Sequence, residues 1–200
     1  MFDEYNSDCT KGMERVRRSV KLHSPTVMFT SSTPVVTSQE KFLANLNNKS
    51  AFIKILSNHL TAAGINVLQA SGDANTQIVH TAIELSHTQS YPVSVVGEDI
   101  DLLVLFATLA REERDVTFIK PGRVPLKVFS SRKLQHNLGD MKTHLLFLRA
   151  VTGCDTISAP YRQGKKNAYH ILKKRKDLQE QVSIFYHENV TSEVVSAAGE

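Results

Sequence analysis

An α/β fold with largely parallel strands is what the order of patterns along the chain predicts. Three observations carry it. Strand-like and helix-like stretches alternate through residues 65–110. The 200 residues are 41% hydrophobic, enough for one sizeable core. Acids stand where strand-like runs end, which is where side chains converge on a crevice in an open parallel sheet.

The elements follow in order. KGMERVRRSVK places Lys11, Arg15 and Arg18 on one side of a cationic helix. Residues 22–38, rich in Ser, Thr and Pro and without a sustained period, read as a loop or linker. Phe42, Leu43 and Leu46, then Phe52, Ile53, Leu56 and Leu60, fit one or two amphipathic helices ending near Gly64. INVLQA (65–70) is a short strand, and GDANTQIVHTAIELSHTQ opens a helix burying Ile78, Val79, Ala82, Ile83 and Leu85. YPVSVVGEDIDLLVLFATLA is a strand that meets its acids and runs on into residues able to begin a helix. VTFIKPGRVPLKVFSS is a hairpin about a Pro-Gly turn. A short helix on Leu145, Leu146, Leu148 and Ala150 breaks at Gly153, a second starts behind Gly164 and runs through KKNAYHILKKRKDLQEQV, and 187–200 shows no commitment.

Composition narrows the function classes. No stretch approaches the roughly 20 apolar residues of a membrane helix, and the polar N-terminus is unlike a signal peptide, so an intracellular chain is expected. Cys9 and Cys154 form no CxxC pair, and the eight histidines make no HExxH spacing, which leaves neither a disulfide framework nor a zinc site indicated. Net charge is only +4, but residues 162–176 hold seven Lys or Arg and no acid. Such asymmetry suits a polyanionic partner, although a charge run is commonly just a solvated face. KKRK (173–176) also reads as a candidate nuclear-import signal, a pattern with a high false-positive rate.

The acids within VVGEDIDLLVLF are the sharpest signal. On a strand, Asp99 and Asp101 would share a face, repelling by about 4 kcal/mol at close range with an effective dielectric near 20. A divalent cation would reverse that sign. Oxygen ligands without Cys or His suit magnesium or manganese, and two such ions about 4 Å apart can clamp both reacting oxygens of a phosphodiester. Any single Asp is more simply a cap or a turn former. Asp73, Asp99, Asp101 and Asp155 together, at the ends of successive elements, are the candidate site.

At these residues the chain resembles the flap-endonuclease and related PIN-like nucleases. EDID (98–101) is similar to their S-E-D-x-D strand end, DANTQIVHTA (73–82) to their E-A-E-A-Q-C-A helix start, and GCDTISAPYRQGKKNAYHIL (153–172) to their G-C-D-Y segment. FDEYNSDCTKGMERVRR resembles the stretch that opens on F-D-G. SGDANT, EDIDLLVL and VTGCDTIS look closest to uncharacterised, often transposon-associated members. The resemblance runs from Phe2 to about Leu172. It implies a PIN-like three-layer fold with a mostly parallel central sheet, its first strand missing from an N-terminally truncated chain. It divides the chain into a nuclease core over 1–152, a helix-turn-helix-like segment over 153–185 and a tail over 186–200.

The resemblance further implies a Mg²⁺ or Mn²⁺ crevice lined by Asp3, Asp73, Asp99, Asp101 and Asp155, with Glu98 beside it as a supporting or capping group. Asp73, Asp99, Asp101 and Asp155 would be the catalytic set. Arg162, Gly164, Lys165, Lys166, Lys173, Lys174 and Arg175 would hold DNA or RNA through its phosphates. Three positions depart from the pattern: Asn75 stands where the family has an acid, the strand before FDEY is absent, and RQG replaces the G-I-G turn. The expected function is a metal-dependent, structure-specific nuclease. The alternative is a degenerate relative that binds nucleic acid or protein without cutting. A small-molecule α/β enzyme is disfavoured, since neither GxGxxG, a P-loop nor GxSxG occurs.

Overall fold

The structure is a computed structural model describing residues 1–2, 24–34, 36–111, 113–122, 126–153 and 164–186. It divides into two compact units, Met1–Gln77 and Ile78–Glu200.

In the first unit, the stretch expected to form one or two amphipathic helices forms two, α1 (Gln39–Ala44) and α2 (Leu46–Ala62). Ser38 Oγ accepts from Lys41 N at 3.4 Å and Asn45 Oδ1 accepts from Asn47 N and Asn48 N, so each helix starts on a side-chain cap. Asn45 Nδ2 also donates to Ser24 O, while Asn48, fully buried, donates to Pro25 O and accepts from Val27 N at 2.8 Å. Two asparagines thereby staple the preceding loop to the helix. Phe29, Phe42 and Phe52 stack edge to face, with centroids 5.0 and 6.4 Å apart. Gly64, at φ 78°, follows α2 in the left-handed region where glycine carries no steric penalty. The strand expected at 65–70 reduces to one parallel bridge between Phe2 and Gln69.

The unit boundary falls within α3 (Ala74–Thr88). Of the side chains expected on its buried face, Val79 and Ala82 are buried, Ile78 and Ile83 pack partly, and Leu85 is exposed. Ser86 is buried instead, its hydroxyl donating to Ile83 O. The rest of the second unit runs β1 (Val93–Val96), α4 (Ile100–Leu109), β2 (Val116–Lys120), β3 (Lys127–Ser130), α5 (Ser131–Leu138), a 3-10 turn (Gly139–His144), α6 (Leu145–Val151), α7 (Lys165–Lys174) and α8 (Lys176–Ile184).

The sheet corrects the expected fold class. It is an open, mixed three-stranded sheet of order β1-β2-β3, in which β1 pairs β2 in parallel and β2 pairs β3 antiparallel. A three-layer fold about a mostly parallel sheet is therefore not what the chain forms. Two local features account for it: β3 runs back along β2, and 65–70 supplies a bridge instead of a strand.

Val79, Ala82, Val93, Leu102, Leu105, Phe106, Val116 and Phe118 form the core where α3 and α4 meet the sheet. Each buried phenylalanine there contributes about 2–3 kcal/mol of burial free energy. Gly97 turns the chain from β1 towards α4, with its N–H on Ile119 O at 3.1 Å. A Cβ at Gly97 would stand 2.8 Å from Leu102 Cδ1, close enough that the leucine tip would have to shift. A smaller cluster of Met141, Leu148, Leu172 and Val182 joins the 3-10 turn, α6, α7 and α8. Asp115 fastens the sheet to α5: it accepts from the hydroxyls of Ser130 and Ser131 and from Arg132 N at 3.1 Å.

Candidate functional site

β1 ends at Val96, before the acids, so Asp99 and Asp101 lie on a helix start and not on a strand face. Asp99 is the N-cap of α4, and its Oδ1 accepts from Asp101 N at 2.9 Å. A carboxylate in that position meets unpaired N–H groups and the positive end of the helix dipole, a sufficient reason for an acid there. Asp73 does the same work before α3 in the first unit. Its Oδ2 accepts from Thr76 N at 3.0 Å and Thr76 Oγ1 at 2.8 Å.

Asp101 is different, because it is 6% exposed. Burying a carboxylate requires compensation, and two side chains provide it. Lys165 Nζ, from the first turn of α7, donates to Oδ1 at 3.4 Å, and Arg149 Nε, on α6, stands 3.3 Å from Oδ2. The Arg149 contact is an ion pair without hydrogen-bond alignment, since that buried Nε–H has no hydrogen-bond acceptor. Arg149 was not among the residues expected at the site. The signal that could have found it is a lone cation inside the apolar run LLFLRAV, needing a buried counter-charge as much as Asp101 does.

The expected Mg²⁺ or Mn²⁺ centre is corrected by this arrangement. Among the described residues, no three His, Cys, Asp or Glu side chains assemble as a set able to hold a metal ion. Asp73 and Asp99 are turned to capping, and Asp101 already faces two cations, whose charge opposes a third. The described residues do not fit the metal, and no catalytic step follows through it. Asp3, Asp155 and Arg162 lie outside the described residues.

The expected phosphate-binding residues lie largely on one helix. Gly164 is the N-cap of α7 in an extended conformation without a side-chain cap bond, and a Cβ there would meet open space. Leu172, Ala168 and Tyr169 turn inward to the small cluster. Lys166, His170, Lys173 and Lys174, spaced i, i+4, i+7 and i+8, are exposed on the remaining face, and α7 contains no acid. Lys173 Nζ sits 5.9 Å from the centroid of the Tyr169 ring, which orients its ammonium group. The helix expected to continue to Val182 breaks at Arg175, whose extended backbone separates α7 from α8. There Arg175 Nε donates to both Asp177 oxygens, at 2.9 and 3.1 Å. The hydrogen bond from Arg175, with its charge, holds the Asp177 carboxyl down at about 2. Arg175 is thus committed to a neighbour and is not an open cation like Lys166.

Among the described residues no helix is long and apolar enough to cross a membrane. No family model matches the chain, and no curated protein or solved structure matches it. A metal-binding nuclease signature therefore finds support neither in the arrangement of the described acids nor in a family match.

Proposed function

We propose that the second unit is a non-cleaving relative of the nucleases it resembles, one that holds nucleic acid through its phosphate backbone. The observation that carries the reading is the pairing of Asp101 with Arg149 and Lys165: the most buried of the described catalytic candidates is compensated by protein cations. The exposed cationic face of α7 supplies the binding surface. Lys166 and Lys173 are seven residues apart, about 10 Å along the helix axis, a span of roughly three phosphates along one strand. Contacts of this kind fix position without reading bases, so binding is indifferent to sequence and weakened by salt.

The test is fluorescence anisotropy of the purified chain with labelled duplex, hairpin and single-stranded DNA and RNA, over a potassium chloride series with magnesium, manganese or EDTA. The expected result is salt-sensitive binding, the same in all three, with intact substrate on a denaturing gel. Neutralising Lys166, Lys173 and Lys174 to Gln should flatten the salt dependence by about one unit of slope per lost phosphate contact. Metal-dependent products that disappear with Asp99→Ala or Asp101→Ala would overturn the reading in favour of a nuclease. Absence of binding would overturn it in favour of a protein-contact role.

A further inference from the structure

We propose that the first unit carries a binding site for a neutral, largely apolar small molecule, in the cavity between residues 27–34 and 36–37 on one side and helices α1 and α2 on the other. It is independent of the phosphate-binding reading, because every described residue lining the cavity lies between Val27 and Ile55. The volume is about 450 Å³, inside the roughly 300–1,000 Å³ typical of small-molecule sites. Phe29, Phe42 and Phe52 contribute aromatic surface, already set edge to face. Around them stand hydroxyls, among them Thr30 and Thr33, whose turn is closed by Thr30 N donating to Thr33 Oγ1 at 2.9 Å.

Two features define the occupant. Among the described residues no Asp, Glu, Lys, Arg or His lines the cavity, so an ionised ligand would lose its hydration with no counter-charge from them in return. An apolar body with one or two hydrogen-bonding groups matches the lining. The volume suits a compact organic molecule buried on most of its surface. One end of the loop wall is anchored in advance: Asn48, 0% exposed, and Asn45 tie residues 24–27 to the start of α2, so Val27 is held at the cavity by hydrogen bonds that do not involve a ligand.

The experiment titrates the full chain with N-phenyl-1-naphthylamine, an uncharged dye that brightens on leaving water. The expected result is a saturable, one-to-one rise in fluorescence that is insensitive to salt. Thr37→Trp, at an exposed lining position, should fill the space, and Phe52→Ala should remove part of the wall. Each should weaken binding roughly tenfold, about 1.4 kcal/mol, with circular dichroism unchanged. Should Phe52→Ala lose its fold, Thr37→Trp decides alone. Leu126→Ser, in the other unit, removes an exposed apolar side chain and should leave the titration unaltered. The proposal fails if the rise does not saturate, if Thr37→Trp binds like the unaltered chain, if Leu126→Ser abolishes the signal, or if sedimentation shows the dye displacing a second copy of the chain.

Discussion

Lys165 Nζ on α7 reaches Asp101 Oδ1 on α4 at 3.4 Å, joining helices whose residues are 64 positions apart in the chain. With Arg149 on the other oxygen, a buried acid ties α4 to α6 and α7. Removing one partner of such an arrangement strands the others. Asp101→Ala should cost about 3 kcal/mol in chemical denaturation, the low end for buried pairs because Lys165 is half exposed. The double variant Asp101→Leu with Arg149→Met should recover much of that loss. EDTA or millimolar magnesium should leave the melting temperature unmoved, and an upward shift with magnesium would contradict the pairing described here.

Arg175 is exposed but occupied by Asp177. Asp177→Asn should release it, steepening the salt dependence of nucleic-acid binding by about 0.9 in the logarithmic slope. Arg175→Gln should change binding little. Since the Asp177 carboxyl is held at about 2 in the fold, the pair should persist from neutral pH until acid near that value protonates it. Anisotropy titrations of both variants at two salt concentrations distinguish the outcomes.

Asp115 links pH to stability. Burial pushes its carboxyl up, but the Arg132 backbone N–H, the hydroxyls of Ser130 and Ser131 and the charge of Arg132 together bring it below its ordinary value. A carboxyl lowered on folding adds stability above its unfolded value near 3.9 and loses it as pH falls through the folded one. Asp115→Asn should therefore lower stability by about 1 kcal/mol at neutral pH, discounted for its exposure, and shrink the loss seen on acidification. Urea midpoints from pH 7 to pH 2 would show it.

Asn48 has no contact with water and serves three backbone groups, those of Pro25, Val27 and Phe42. Asn48→Ala should cost about 2–3 kcal/mol, the desolvation of the groups left unpaired. Limited proteolysis should then cut within residues 24–30 before any other described segment. Protection equal to that of the unaltered chain would mean that the loop is held elsewhere.

Local patterns were legible in the sequence wherever one residue type dictates one geometry. The two helices before Gly64, the hairpin after Pro121 and Gly122, and the inward face at Val79 and Ala82 follow from period and turn chemistry. What failed was longer in range. INVLQA has strand composition, but a strand exists only through its neighbours, and Gln69 finds just Phe2. Asp99 and Asp101 were assigned to a strand because the apolar run is continuous, yet a cap three residues beyond Val96 begins a helix. Spacing could show that these acids needed compensation. It could not show that Arg149 and Lys165, from segments far along the chain, would provide it.

Gly97 leaves room at the corner between sheet and helix. A methyl group there would stand against the Cδ1 tip of Leu102, and that leucine would have to turn aside to admit it. Bare backbone lets Leu102 fill the corner instead, one position after the acid that Arg149 and Lys165 neutralise.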